Sequence, residues 1–341
     1  MFNKEINKIF NTIEQSGGEV YLVGGAVRDH LLDKKPHDYD FATSLHPESI
    51  INLFDDVKPT GIDYGTVTVI LNKNQYEITT YRKECDYDGR RPKVVEFANT
   101  IQQDLSRRDF TINALAMNSK GEILDLFNGK SHLKEGLIKF VGNPCERVKE
   151  DKLRLLRGIR FSTIYDFNIS QDDFKKVYSK AYQLDLTSIS IERFRSEFNK
   201  IICSNNSRYG LNLLKETKIL EKFIPEFKET YNFDQRNPHH TETIFNHLLT
   251  VTERIDNDLV LRLSTLLHDI GKPKTFSIDE EGTGHFYGHE KESVKLAKDI
   301  LKRMRYSNKI INKVLNLISF HMVKHFSTKP STVRRFIRDV G

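Results

Sequence analysis

The chain has 341 residues, enough for two or three domains. Its 53 lysines and arginines against 47 acidic residues leave a net charge of +6, which permits a polyanionic partner without demonstrating one. Cys85, Cys145 and Cys203 lie too far apart for a zinc spacing or a disulfide framework, and neither a signal-type N-terminus nor a long apolar run occurs; secretion and a membrane partner are therefore disfavoured, and a reducing cytoplasm is expected.

Phe2, Ile6, Ile9, Phe10 and Ile13 recur at helical spacing and predict a leading amphipathic helix ended by Ser16-Gly17-Gly18. There follow an apolar strand, Val20 to Val23, the pair Gly24-Gly25, a helix-like AVRDHLL segment carrying Arg28 and Asp29, and a second strand edged by Asp38 and Asp40. Strand side chains alternate faces, so the two aspartates share one face and Tyr39 takes the other. Two hard oxygen ligands suit Mg²⁺ shared with substrate phosphates. Two aspartates alone fit a polar turn before a strand equally well. The glycines shift the balance, because they allow close backbone approach to an anion and the following helix presents free N–H groups to phosphate.

Pro47 to Leu53 reads as a short helix, and Thr66 to Ile70, Tyr76 to Tyr81 and Val94 to Phe97 as strands. Glu77 could be a third acidic group near a metal, or a solvated strand carboxylate. The charged RKECDYDGRRP segment, Arg82 to Pro92, has the composition of a mobile loop. In DLSRRDFTINALAM, Asp104 to Met117, the guanidinium of Arg107 or Arg108 suits phosphate or ribose and Asp109 suits a ribose hydroxyl, while a salt-bridged helix edge is the plainer account. Glu150 opens a helical run in which Asp151, Arg154 and Arg157 recur every three residues on one face. From about residue 205 leucine-rich helices dominate, with eight of the 12 histidines: His239, His240, His247, His268, His285, His289, His321 and His325. In LLHDIGKP, the adjacent His268 and Asp269 at the end of an apolar helix can ligate a divalent ion that histidines on other helices complete.

GGAVRDHLL followed by HDYDFAT resembles the catalytic motif of the class II tRNA nucleotidyltransferase and poly(A) polymerase family, a branch of the DNA polymerase beta-like nucleotidyltransferases that includes bacterial members with an HD domain. RRDFTINALA resembles its second motif, and DLFNGK its third, with Leu126 and Asn128 departing from the usual DPFGG-like turn. Glu150, Asp151 and Arg154 match the EDxxR template motif, ISIERFRSE the helix after it, and LLHDIGKP the HD domain. The resemblance implies an α+β fold: a nucleotidyltransferase head with a five-stranded mixed sheet (1–140), a helical neck bearing the template helix (141–204) and a helical HD body (205–341).

Carried over residue by residue, Asp38 and Asp40 become the catalytic, Mg²⁺-binding pair. Gly24, Gly25, Arg28, Arg108, Asp109, Asp151, Arg154, Arg157 and Arg160 become nucleotide-binding, with Arg28 either touching phosphate or bracing Asp29, Arg157 and Arg160 either supporting the helix or reaching phosphates, and Asn113 architectural. Glu192 and Glu197 would brace the template helix. His247, His268 and Asp269, with His289 and His321 as further candidates, become ligands of a second divalent transition metal. HD sites commonly use a later aspartate; Asp339 stands in an unconvincing context, so a fragment or short form is expected. The implied activity is addition of CCA to the tRNA acceptor end from CTP and ATP, the Arg82–Pro92 loop arguing for adenosine addition. Adenosine-only addition, poly(A) synthesis and a mainly HD-type phosphohydrolase stay open, as does the oligomeric state.

Overall fold

The computed structural model describes residues 2–87, 92–236 and 242–322. His239, His240, His325 and Asp339, and residues 88–91 of the charged segment, lie outside them. Packing divides the chain into two compact units: one runs to Gly158 and includes Phe167–Tyr178, the other comprises Ile159–Asp166 and the residues from Ser179 onward.

In the first unit, helix α1 (Lys4–Gln15) begins where the Asn3 side chain accepts the Ile6 N–H, and it buries Ile6, Ile9, Phe10 and Ile13. Strand β1 (Val20–Val23), helix α2 (Gly25–Leu31), strand β2 (Asp40–Thr43) and helix α3 (Pro47–Leu53) follow. Strands β3 (Val57–Gly61), β4 (Thr66–Leu71) and β5 (Asn74–Thr80) complete one side of the sheet. A hairpin of β6 (Arg82–Tyr87) and β7 (Pro92–Phe97) stands apart as its own two-stranded sheet. Helix α4 (Ile101–Ser106) leads to β8 (Leu115–Met117), β9 (Ile123–Asp125) and α5 (Gly129–Lys134).

The main sheet has seven strands, in the order β3-β4-β5-β2-β1-β8-β9, rather than the expected five, because β3 extends one edge and β9 the other. It is mixed: β2 and β5 are parallel, and the other pairs are antiparallel. Phe10 meets Phe41 edge-on at 5.5 Å between ring centroids, fixing α1 on the sheet.

Composition predicts a loop for the charged segment Arg82 to Pro92, but its described residues, Arg82–Tyr87 and Pro92, are in strands. Arg82 to Tyr87 pair with Pro92 to Phe97, and strand pairing satisfies backbone groups whatever the side-chain polarity.

The unit closes with β10 (Leu137–Ile138), α6 (Pro144–Glu150), α7 (Leu153–Tyr165), β11 (Asn168–Ile169) paired to β10, and a turn α8 (Gln171–Asp173) running into a π-helical turn, Phe174–Tyr178. The division between the units falls within α7. The expected continuous helix from Glu150 is interrupted: Asp151 adopts extended backbone (φ −145°) and ends α6. Its Oδ1 then accepts the Leu153 N–H and caps α7.

The second unit is helical: α9 (Ile191–Ile202), α10 (Ser207–Glu216), α11 (Ile219–Phe223), α12 (Ile244–Arg254), α13 (Leu259–Leu267), a short hairpin of β12 (Ser277–Ile278) and β13 (Gly284–His285), α14 (His289–Arg303) and α15 (Asn308–Phe320). Thr243, Asp258 and Ser307 cap α12, α13 and α15 through their side-chain oxygens. Phe194, Phe198, Leu214, Phe227, Phe245, Leu248 and Leu263 are buried in its core. No helix among the described residues is long and apolar enough to cross a membrane.

Candidate functional site

Asp40 is the first residue of β2, and the strand pairing sets its surroundings. It lies opposite Val23 at the end of β1 and opposite Glu77 in β5, with Gly24 following Val23. Asp38 precedes the strand and is exposed. Although Asp40 reaches solvent, packing around its carboxyl and the charges of Glu77 and Asp38 push its pKa up to about 6, against the pull of Arg108. Asp40, with Glu77, a minor candidate from sequence, opposite it in the neighbouring strand and Asp38 two residues before it, offers hard oxygen donors of the kind a divalent cation takes.

Gly24 has φ +67°, and a Cβ there would sit 3.0 Å from Arg108 Nη1. A side chain at this position would be strained and would push the guanidinium away. Arg108 and Arg107 are both held by Asp104, whose Oδ2 accepts Arg108 Nη2 at 3.0 Å and whose Oδ1 accepts Arg107 Nη2 at 2.7 Å. Asp104 is 1% exposed, and against its burial the two guanidinium groups lower its pKa. The sequence reading missed this residue, although arginines three and four positions after an aspartate on a helix are a recognisable signal.

The remaining proposed nucleotide contacts form a chain of pairs. Arg28 is buried; it donates to Asp29 Oδ1 at 3.0 Å and to Asn113 Oδ1 at 2.5 Å, so it braces rather than reaching outward. Asn113 donates to Asp109 Oδ1 at 3.1 Å, so it links Arg28 to Asp109. Arg157 Nε meets Asp109 Oδ2 at 2.6 Å. Burial alone would raise the Asp109 carboxyl, but Arg157, Asn113 and the Phe110 N–H hold it down to about 2. Arg157 therefore anchors Asp109. Arg160 pairs with Glu197 at 2.7 Å, which ties α9 to α7 as expected of Glu197. Glu192 instead pairs with Arg305.

At the template motif, Arg154 is 7% exposed and directed by fixed acceptors: Glu150 Oε2 at 2.5 Å, the Arg147 carbonyl at 3.2 Å and the Arg107 carbonyl at 3.1 Å. The break at Asp151 places its carboxylate at the corner between α6 and α7, one turn from Arg154.

In the second unit, Asp269 gathers four histidines. His247 and His268 Nε2 lie 3.5 and 3.3 Å from Oδ2; His289 and His321 Nε2 lie 3.2 and 3.5 Å from Oδ1. His268, His289 and His321 each direct Nδ1 to a backbone carbonyl (Thr265, Phe286 and Ile318) at 2.7 to 2.8 Å. A carbonyl only accepts, so Nδ1 carries the proton and Nε2 is left as the ligand atom. Two such Nε2 atoms, on His289 and His321, face each other at 3.1 Å. Lone pairs converging on a carboxylate call for a cation or a shared proton between them, and the set fits a divalent metal. His247, His268 and Asp269 form one potential ligand group, and Asp269, His289 and His321 another. Lys272, overlooked in the sequence, contributes a buried ammonium 2.9 Å from Asp269 Oδ2.

Three family models match successive stretches of the chain. Residues 20–139 match the poly A polymerase head domain, 166–230 the probable RNA- and SrmB-binding site of polymerase A, and 239–339 the HD domain. The CCA-adding enzyme of Ligilactobacillus salivarius is 44% identical over 229 residues, 67% of this chain and 56% of that protein. The CCA-adding enzyme of Lactococcus lactis subsp. cremoris is 37% identical over 278 residues, 77% and 68% respectively. The chain spans little more than half the length of the first curated relatives it matches. Among solved structures, the Bacillus stearothermophilus CCA-adding enzyme in complex with CTP is similar with a TM-score of 0.70 at 27% identity, covering 93% of this chain and 69% of that one. A tRNA nucleotidyltransferase complexed with a primer tRNA and an incoming ATP analog shares the fold, with a TM-score of 0.69 at 22% identity and coverage of 98% and 90%.

Proposed function

We propose that this chain, which belongs to the CCA-adding enzyme family, adds C, C and A to the 3′ end of tRNA from CTP and ATP without a nucleic-acid template, releasing pyrophosphate. The observation that carries the reading is that one compact unit holds both the Asp40–Glu77–Gly24–Arg108 cluster and the fixed Asp151–Arg154 corner. Asp38 and Asp40 are the residues that would hold Mg²⁺, which when bound supplies charge neutralisation for attack of the 3′-hydroxyl on the α-phosphate and for the departing pyrophosphate.

Gly24 leaves room for phosphate, and Arg108, kept in place by Asp104, offers it a fixed guanidinium. Asp109, kept ionised by Arg157, accepts from a ribose hydroxyl. Asp151 accepts from the exocyclic amine that cytosine and adenine share, and Arg154 donates to their ring nitrogen. Uracil and guanine present a carbonyl and an N–H at those positions and match neither. The partners are the tRNA acceptor end, CTP and ATP, and the compartment is the cytoplasm.

A second site is favoured by the histidine cluster. His247, His268, Asp269, His289 and His321 would hold a divalent transition metal, which when bound supplies Lewis-acid activation for phosphoester hydrolysis. The proposed transfer reaction is tested by incubating tRNA lacking CCA with each nucleoside triphosphate. Incorporation of C and A but not U or G, with Arg154→Ala eroding that preference, is expected. Equal use of UTP, or no incorporation, would overturn the assignment.

A further inference from the structure

We propose that Arg147 is a positioning residue for base selection, tying the two groups that read the base to the segment that holds phosphate and ribose. The inference rests on the reading of Asp151 and Arg154 as the base-reading pair. Every residue involved lies in the first unit. Both readers are anchored on the Arg147 backbone: its carbonyl accepts the Asp151 N–H at 3.3 Å and Arg154 Nη1 at 3.2 Å. One carbonyl thus sets where the Asp151 peptide and the Arg154 guanidinium stand. The Arg147 side chain, 17% exposed, is fixed in turn. Its Nη2 pairs with Glu150 Oε1, and its Nη1 donates to the Ser106 carbonyl at 3.2 Å. Glu150 offers its other oxygen to Arg154 at 2.5 Å, so one carboxylate spans the two arginines.

Ser106 is the last residue of α4, and a helix leaves its final carbonyls without partners of its own. Arginine side chains commonly serve such carbonyls. Here two of them take consecutive ones, Arg147 at Ser106 and Arg154 Nη2 at Arg107, the latter at 3.1 Å. The next two residues along the chain are Arg108 and Asp109, the phosphate and ribose groups of the proposed reaction. The base-reading corner is therefore joined to them through peptide groups. A guanidinium suits this post because its planar fork donates to a carboxylate and a carbonyl in fixed directions at once, whereas an ammonium is a single point. Without it, residue 147 and its carbonyl are released from α4, and both readers shift against the base edge. A displacement of about 1 Å in a positioning group is enough to cost about 10²-fold in rate.

The test uses the full-length protein and tRNA lacking CCA, with kcat/KM measured separately for CTP and UTP. Arg147→Met should lower the ratio of kcat/KM for CTP to that for UTP by about tenfold or more, the scale of one charge-assisted hydrogen bond. Arg147→Lys keeps a positive charge beside Glu150 but cannot serve both acceptors. It should fold as the wild type does and lower the ratio by less than Arg147→Met. A merely structural brace would lower Tm and reduce both rates together, leaving the ratio where it was. An unchanged ratio in either variant, or loss of folding in both, would overturn the proposal. Equal use of CTP and UTP by the wild type would instead remove the base-reading assignment itself, so the two failures are distinguishable.

Discussion

Asp40 shows how much one register contact decides. Crowding and the charge of Glu77 raise its pKa to about 6, so the metal-free folded chain binds a proton there that an unfolded chain takes up only near pH ~4. The sign follows: protonation of Asp40 favours the folded state in that window, the contribution is lost as pH rises through 6, and above it the ionised carboxylates repel until a cation joins them. Glu77→Gln should therefore move the Asp40 titration downward, read by carboxyl ¹³C NMR on the metal-free protein; an unmoved titration would show that Glu77 does not act on it. Asp109 has the opposite sign. Its stabilising ionisation is complete above pH ~4 and lost as pH falls toward 2. Arg157→Met should cost about 1–3 kcal/mol by removing the counter-charge of a buried carboxylate that keeps only its Asn113 and Phe110 hydrogen bonds, and Asp109→Asn in the same chain should restore much of it. Chemical denaturation checks both variants, and a double variant no more stable than the single one would contradict the pairing.

Among the elements, those built from local pattern were legible in the sequence: α1 from its apolar spacing, α3, and the strands through Thr66–Leu71 and Tyr76–Thr80. The carboxylate pair and the histidine-aspartate dyad were legible too, because their chemistry lies in adjacent residues. What escaped depends on partners distant in sequence. The Arg157–Asp109 pair spans 48 positions, and the β6–β7 hairpin rests on backbone pairing that a charged composition conceals. The break at Asp151 is a third case, since a residue with good helical neighbours there caps the next helix. Helix α7 also carries a packing demand invisible to periodicity. A Cβ on Gly158 would come within 1.9 Å of the Tyr178 hydroxyl and 3.0 Å of Phe110 Cζ, and both rings are fully buried. Gly158→Ala should destabilise the chain by about 1–3 kcal/mol, visible as a lower Tm. An unchanged Tm would mean that the Phe110–Phe140–Tyr178 cluster can yield.

At the scale of the whole molecule, the two candidate centres differ in chemistry, carboxylates in one unit and imidazoles around a carboxylate in the other. Ligand linkage separates them. Ni²⁺ at about 100 times its dissociation constant should stabilise the wild type by about 2.7 kcal/mol and His268→Ala by much less, so equal stabilisation of both would argue against the histidine centre. Stepwise nucleotide addition by the first unit can be followed on three tRNA substrates, ending before the CCA, after the first C and after CC, each given CTP and ATP separately and together. C, C and A should be added in turn, and Asp40→Ala should lower the rate by about 10³-fold or more, the loss of several kcal/mol of metal-assisted charge stabilisation. Extension of the CC-ending substrate alone, or extension unaffected by Asp40→Ala, would contradict it.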